Sequence, residues 1–175
     1  MEHVYLGPEY SNEDVIAACA RHPAQPAWEK IENGDSEVPK RIAQILVDGN
    51  PVAWFRGRME FGPRALGSRS ILGDARSPKM QSVMNLKIKF RESFRPFAPS
   101  VLPEDVGRFL EVPEDLDAAE FMLLALPVKS RRDAQRIPAV AQENGISGVS
   151  TSRAHVVRRE TNPIYARLLD EMKAL

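Results

Sequence analysis

The sequence predicts an α/β or α+β domain in which helices and short strands alternate around one core. Apolar residues recur every three or four positions in some segments and form short unbroken runs in others, and the two patterns alternate along the chain. The chain has 175 residues, of which 43% are hydrophobic, enough for a single domain with its own core. Its 14 prolines favour many short elements over a helical bundle.

Five segments have the spacing and end signals of helices. In the second, Ile42 and Leu46 share one face and Gly49 follows as a stop signal. In the third, Ser77 is expected to be the N-cap, with a proline at the first helical position. The predicted helices are residues 12–20, one from Pro39, one from Ser77 to Ile88, a short one opened by Pro103, and one from Asn162 towards Met172.

Strands are predicted where short apolar runs stand between these helices. The predicted strands are residues 51–55, 97–102, 121–128 and 154–157. Residues 57–70, rich in glycine and arginine, and the polar residues 129–135 are predicted to be loops. We divide the chain into an N-terminal lead-in, residues 1–38, and a domain, residues 39–175.

The charge of the chain is balanced overall but uneven along its length. Ten of the 24 Lys and Arg residues, but only three of the 24 Asp and Glu residues, lie between Arg56 and Arg95. A local cationic excess in a neutral protein indicates a site for a compact anion. Nonspecific nucleic-acid binding is not expected, because it more often accompanies a protein that is basic overall.

Cysteine and histidine usage narrows the kinds of site further. The single cysteine, Cys19, excludes an internal disulfide and a cysteine-based zinc site, and it is typical of a reducing cytoplasm. It lies in an apolar run, which favours a packed helical cysteine over a nucleophile. His3, His22 and His155 are scattered and predict surface or core positions rather than a metal site. No apolar run is long enough to span a membrane, and the first residues do not resemble a signal peptide.

The first motif that indicates chemistry is GRMEFGPRALGSRSIL, residues 57–72. Its glycines let backbone N–H groups approach a ligand closely, and Arg58, Arg64 and Arg69 add planar donors suited to phosphate or carboxylate. The alternative is a surface loop whose arginines pair with acidic residues. The motif is not a Walker A loop, because it lacks the Gly-Lys-Ser/Thr ending.

The second motif is KIKFRESFRPFAPS, residues 87–100, which gathers Lys89, Arg91 and Arg95. Cations held close together favour an anion site, and a solvated charged face is the alternative. The interleaved Phe90, Phe94 and Phe97 are predicted to be core residues, although aromatic rings beside arginines can also stack a base.

Together the two motifs resemble the signature of the O-carbamoyltransferases of the NodU and CmcH type. The match is long and specific, it begins near the segment YLGPEYS at residues 5–11, and it continues to Asn162 and Tyr165. The resemblance implies the C-terminal, YrdC-like domain of this family, with a twisted mixed sheet and flanking helices. The run Lys-x-Arg that starts at Lys89 is also similar to one in YrdC proteins, where it holds a triphosphate and an acyl group.

The resemblance also implies a function and a set of partners. ATP with Mg²⁺ and carbamoyl phosphate would form carbamoyl-adenylate here, and an N-terminal sugar-kinase-like domain with a histidine-bound metal, in cis or in trans, would transfer the carbamoyl group to a hydroxyl. No dedicated metal site is expected in this chain. Carried over by motif, the catalytic residues would be Arg64, Lys89 and Arg95. The substrate- and nucleotide-binding residues would be Arg58, Arg69, Ser70, Arg91, Ser100 and Arg153.

The sequence departs from the family pattern in ways that leave a second hypothesis open. Ser147 and Val149 stand where the family has His and Asp, before the arginine that matches Arg153. The chain ends before a segment that helps to build the nucleotide pocket in the family, so the fold is expected to be incomplete there. The alternative function is a non-catalytic nucleotide-binding or interaction module. A double-stranded-RNA binder is a third hypothesis, against which the neutral net charge speaks.

Overall fold

The structure, a computed structural model, describes residues 3–143 and 148–175. It confirms the α/β class, with helices and short strands mixed along the chain. The helices are α1 Asn12–Arg21, α2 Gly34–Val47, α3 Met80–Val83, which continues into a π-helical turn Met84–Ile88, a 3₁₀ helix Pro103–Arg108, α4 Asp117–Glu120, α5 Arg131–Arg136 and α6 Pro163–Ala174.

The strands of the described residues form three small sheets. They are β1 Val52–Phe55, β2 Arg69–Leu72, β3 Ser100–Val101, β4 Leu126–Pro127, β5 Gln142–Glu143, β6 Ser150–Ser152 and β7 His155–Val156. Strands β1 and β2 pair antiparallel, β3 and β7 pair parallel, and β6 lies between β4 and β5 with antiparallel pairing on both sides. The parallel pair places Ser100 directly opposite His155.

Several predicted element boundaries are wrong. Helix α2 begins at Gly34, five residues before its predicted start at Pro39. Helix α3 begins at Met80, because Ser77 accepts the Met80 N–H through its backbone carbonyl at 3.2 Å rather than through its side chain. The predicted loop 57–70 ends in strand β2, and the predicted strand 97–102 is reduced to β3.

The polar segment 129–135, predicted to be a loop, contains helix α5. Ser130 begins it, because its hydroxyl accepts the Asp133 N–H at 3.1 Å and donates to the Asp133 carboxylate at 2.6 Å. Of the predicted strand 121–128, only β4, Leu126–Pro127, forms a strand. Met122 has a left-handed φ of 56°, which interrupts the extended backbone before that strand.

Three groups of buried apolar side chains form the core. The first joins α2, α6 and β1, and it contains Leu46, Trp54, Leu102 and Tyr165. The second lies under the 3₁₀ helix and β7, and the third joins α3 to the segment 137–140. We call these groups clusters 1, 2 and 3. No helix in the described part of the chain is long and apolar enough to cross a membrane.

Candidate anion-binding site

The loop between β1 and β2, residues 56–68, is built around one buried carboxylate. Oε1 of Glu60 accepts the backbone N–H groups of Leu66 at 2.8 Å, Ser68 at 2.8 Å and Arg69 at 3.0 Å. Burial opposes the charged form of Glu60, but these hydrogen bonds outweigh it and lower its pKa. Three of the backbone N–H groups that the loop was expected to present to a ligand are thus bound by the protein's own carboxylate.

Arg69 also holds this loop in place, through its guanidinium group. It does not line the cavity described below. Two of its guanidinium nitrogens donate to four backbone carbonyls, those of Arg56, Gly57, Ser68 and Pro8, at 3.0–3.2 Å. Its guanidinium also lies 3.6 Å from the centre of the Phe55 ring. Since four of its five N–H donors are occupied, Arg69 is placed to position the loop rather than to bind a ligand.

Gly67 ties the loop to the start of α6. Its carbonyl accepts the indole N–H of Trp54 at 2.9 Å and the side-chain amide of Asn162 at 3.2 Å. Its N–H donates to the hydroxyl of Ser70 at 3.0 Å. The residues that precede β2 are therefore fixed in place, and Arg64 lies three residues before Gly67 in the same loop.

The second cationic segment wraps around the buried side chain of Asn85. The Asn85 amide donates to the carbonyls of Ser93 at 3.0 Å and Arg95 at 2.9 Å, and its oxygen accepts the Nε–H of Arg91 at 2.6 Å. The charged ends of Arg91 and Lys89 lie 4.9 and 5.9 Å from the centre of the Phe97 ring. Asn85 was not predicted as a site residue, although a polar residue inside an apolar helical pattern is a visible signal.

The two segments meet at a cavity of about 650 Å³, which we call the central cavity. This volume falls within the usual range for small-ligand sites. All three clusters contribute to its walls, for example through Leu102, Val106 and Met84. Five of the residues predicted for the site line it: Arg64, Ser70, Lys89, Arg91 and Ser100.

Three of the cations that line the central cavity have no carboxylate partner among the described residues: Arg64, Lys89 and Arg91. The other lining cations are paired. Arg76 binds Asp74 at 3.0 Å, Lys173 and Arg108 share Asp105 at 2.7 and 3.3 Å, and Arg136 lies 3.7 Å from Asp133. The charge left over is therefore positive and gathered where the two motifs meet, an arrangement suited to an anion.

The remaining predicted site residues lie elsewhere. Arg95 is exposed, pairs with Glu92 at 3.2 Å and does not line the cavity. Arg58 donates to the carbonyl of Leu6 at 3.2 Å, and Arg153 is exposed and outside the lining. Of the two departures from the family pattern, Val149 is 44% exposed, and Ser147 lies outside the described residues.

Two expectations about single side chains are wrong. Phe90 and Phe94 are 85% and 70% exposed rather than core residues, whereas Phe97 packs against cluster 3. Phe90 also has a left-handed φ of 48°, which turns the chain at the end of the π-helical turn. Cys19 is only half-buried, because α1 buries none of its residues.

Of the three histidines, His155 is buried, and His3 and His22 are exposed. Within residues 3–143 and 148–175, no group of three or more His, Cys, Asp or Glu side chains could hold a metal ion.

A polar trio that was not predicted from the sequence lies on the wall of the central cavity, with two of its members buried and one half-buried. It consists of Ser100, His155 and Tyr165. The Tyr165 hydroxyl donates to Oγ of Ser100 at 2.8 Å, and Nδ1 of His155 lies 3.2 Å from the same oxygen. Burial lowers the pKa of His155 to about 4 and raises the pKa of Tyr165 to about 12, so both side chains are neutral near pH 7. The parallel pairing of β3 with β7 brings Ser100 and His155 together, and Tyr165 reaches them from α6. No sequence spacing predicts this arrangement.

The sequence of this chain is similar to that of known proteins, and these similarities define a family. The family model described as carbamoyltransferase C-terminus matches residues 43–175. An uncharacterized protein of Synechocystis sp. is 41% identical over 98% of this chain and 29% of its own length. Nodulation protein NolNO of Sinorhizobium fredii is 36% identical over 99% of this chain and 24% of its own length. The 3'-hydroxymethylcephem-O-carbamoyltransferase of Streptomyces clavuligerus is 31% identical over 91% of this chain and 27% of its own length.

The chain thus spans about a quarter of the length of the curated relatives that it matches. Both motifs, residues 57–72 and 87–100, lie inside the segment matched by the family model.

Proposed function

Because this chain belongs to the carbamoyltransferase C-terminus family, we propose that it is the domain that binds ATP and carbamoyl phosphate and forms carbamoyl-adenylate. The observation that carries the proposal is the convergence of Arg64, Lys89 and Arg91 on one cavity without carboxylate partners among the described residues. In the reaction, water first cleaves carbamoyl phosphate into carbamate and phosphate. A carbamate oxygen then attacks the α-phosphorus of ATP, and the bond from that phosphorus to pyrophosphate breaks as the new P–O bond forms. Negative charge accumulates on the phosphoryl oxygens, and fixed cations stabilise it without a dedicated base.

The residues of the central cavity divide into contacts and supports. Arg64 and Lys89 are the proposed phosphate contacts, and Arg91 joins them with the donors that Asn85 and the Pro96 carbonyl leave free. Ser70 and Ser100 add hydroxyl groups on the same wall. Arg69 and Glu60 act as supports that hold the loop from which Arg64 projects. Arg58, Arg95 and Arg153 are assigned no direct contact.

Mg²⁺ is proposed to arrive with ATP and to be held by its phosphate oxygens. The described residues offer no group of carboxylates or histidines that could hold it alone. The cationic wall fits the phosphate part of such a complex, because arginine and lysine bind phosphate oxygens that the metal leaves free. The metal would neutralise phosphate charge, and the protein residues would orient the phosphates.

The remaining part of a longer protein is proposed as the partner. The curated relatives are about four times as long as this chain, which leaves room for an N-terminal domain of the sugar-kinase type. That domain, in cis or in trans, would pass the carbamoyl group from the adenylate to a hydroxyl of the acceptor.

A non-catalytic phosphate-binding or interaction module is the second candidate function. The exposed rings of Phe90, which lies between Lys89 and Arg91 in the sequence, and of Phe94 favour it. Aromatic side chains left in water next to a site are typical of a surface that docks on a partner. Release of pyrophosphate from ATP in the presence of carbamoyl phosphate separates the two candidates, since only the catalytic domain produces it.

Isothermal titration calorimetry with ATP, with carbamoyl phosphate and with both tests the binding site directly. Arg64→Ala and Lys89→Ala are each expected to weaken binding at least about tenfold, or about 1.4 kcal/mol, the size of a charge-assisted phosphate contact. Arg95→Ala is the matched control, because Arg95 belongs to the same motif but does not line the cavity. It is expected to change affinity by less than about twofold.

Equal affinity in wild type, Arg64→Ala and Lys89→Ala would contradict the proposal. A loss of affinity confined to Arg95→Ala would show that the phosphate site lies outside the central cavity.

A further inference from the structure

The polar trio on the wall of the central cavity has three N–H or O–H donors but only two hydrogen bonds among its members, so one donor is left over. Ser100 lies on β3 directly opposite His155 on β7, and Tyr165 approaches from α6. A serine hydroxyl can accept two hydrogen bonds and donate one. Tyr165 fills one of the two acceptor positions on Ser100, with its oxygen 2.8 Å away.

We propose that His155 and Tyr165 are positioning residues that make the Ser100 hydroxyl a hydrogen-bond donor to an anionic oxygen of the ligand in the central cavity. This inference rests on the proposed function, since it needs an anionic ligand at that wall. It adds a neutral donor to the cationic set and gives two buried residues a role in ligand recognition.

The direction of each hydrogen bond follows from the chemistry of the three groups. A phenol is a better donor than an alcohol, so Tyr165 donates to Ser100. The neutral imidazole of His155 carries a single proton, on either Nδ1 or Nε2. With the proton on Nε2, the Ser100 hydroxyl donates to Nδ1. With the proton on Nδ1, His155 donates to Ser100, both acceptor positions are filled, and the Ser100 hydrogen is left for the cavity.

An anionic oxygen can only accept, so its binding selects the second arrangement. The histidine loses a proton from Nε2 and gains one at Nδ1, so the net charge of the protein is unchanged. Neutral His155 is a condition of this exchange, and its burial supplies that condition by lowering its pKa to about 4. An imidazolium would instead donate from both nitrogens at every stage.

Packing holds the trio in this geometry. The rings of His155 and Tyr165 are stacked with their centres 6.1 Å apart, and Trp54 lies 5.9 Å from Tyr165 on cluster 1. Tyr165 is only 3% exposed and also contacts Gly67. The strand pairing is fixed by the His155 N–H, which donates to the carbonyl of Pro99 at 2.8 Å. Ser100 therefore has little freedom to choose other partners.

Nitrogen NMR of the full 175-residue chain, labelled with ¹⁵N at histidine, reads the tautomer directly, because protonated and unprotonated ring nitrogens give well-separated signals. His155→Asn identifies the His155 signals. With saturating ATP, and separately with inorganic phosphate, Nδ1 of His155 is expected to carry the proton. This measurement uses wild-type protein, so it does not depend on whether any variant folds.

Calorimetry with the same two probes supplies the energetic arm. Ser100→Ala is expected to weaken binding about tenfold, as for a hydrogen bond to a charged group, and Tyr165→Phe about threefold. Ser152→Ala is the control, because Ser152 is also buried and donates to the Val140 carbonyl at 2.8 Å, but it does not line the cavity. It is expected to leave affinity unchanged.

The two proposals fail in different ways. If wild type binds ATP with an affinity that depends on Arg64, but Nδ1 of His155 is unprotonated in the bound state, the inference is overturned and the proposed function stands. Equal binding by Ser100→Ala and Ser152→Ala has the same meaning. If wild type binds neither probe, the proposed function fails and the inference fails with it.

Discussion

Gly67 packs the β1–β2 loop against Tyr165 of α6. Its φ of +90° lies in a region that side chains disfavour, and a Cβ atom there would stand 2.5 Å from Cδ1 of Tyr165. Gly67→Ala is therefore expected to lower the free energy of unfolding by about 3 kcal/mol or more, from backbone strain and overpacking together. Urea unfolding followed by circular dichroism measures this loss.

Gly57→Ala separates the two causes. Gly57 has a φ of +57° in the same loop, but a Cβ atom there would have no neighbour within 4 Å. Only the left-handed backbone is then penalised, at about 1–2 kcal/mol. Equal losses in the two variants would show that the Tyr165 ring moves aside without cost, and Tyr165 would then be a poor anchor for Ser100.

At the scale of elements, the β1–β2 loop depends on the carboxylate of Glu60. Glu60→Gln keeps the size of the side chain but removes the charge that accepts three N–H groups. The free energy of unfolding at pH 7 is expected to fall by about 2 kcal/mol, the cost of weakening charge-assisted hydrogen bonds to a buried group. Glu92→Gln, which disrupts an exposed pair with Arg95, is the control and is expected to cost less than about 1 kcal/mol.

The pH dependence of this difference has a definite sign. The pKa of Glu60 is lowered in the folded protein, so the carboxylate contributes its stability above the pKa of an ordinary glutamate. That contribution is lost as the pH falls through the lower, folded value. Unfolding curves of wild type and Glu60→Gln should therefore converge in acid. A gap that stays constant from pH 7 to below the pKa of an ordinary glutamate would mean that charge is not what holds the loop.

Other elements show what the sequence could and could not predict. The apolar spacing of α2 and α6 and the apolar run of β1 were sufficient to predict that these elements exist, because each buries one face in cluster 1. Helix α5 was missed, because it buries no side chain and begins through the local contact of Ser130 with Asp133.

The site divides in the same way. That arginines and a lysine of two distant motifs would meet was predictable, because like charges gathered in a neutral chain need an anion. The position of Arg95 outside the cavity was not predictable. It depends on how residues 91–95 turn around Asn85 and on the pairing with Glu92. The Ser100–His155–Tyr165 trio requires a parallel strand pair, and a register between distant segments leaves no periodic trace.

On the scale of the whole molecule, the central cavity is the place where the three clusters meet. A ligand bound there contacts walls that belong to α2 and α6, to the 3₁₀ helix and β7, and to α3. Binding to the folded state alone stabilises it by mass action, by about 2.7 kcal/mol when the free ligand is at one hundred times its Kd. Because the ligand contacts all three clusters, we expect that stabilisation to reach the whole chain rather than one lobe.

Differential scanning calorimetry with ATP tests this expectation. For a chain of 175 residues, about 2.7 kcal/mol corresponds to a rise in Tm of roughly 5–10 °C, within a single transition. Arg64→Ala at the same ATP concentration should show about half that rise, because a tenfold weaker Kd leaves only about 1.4 kcal/mol. A second transition that ATP does not move would mean that one cluster unfolds independently of the cavity. In that case, ligand binding in the cavity would not couple the unfolding of the three clusters. Arg64 and the other cations of the cavity would then stabilise only the clusters whose transition ATP shifts.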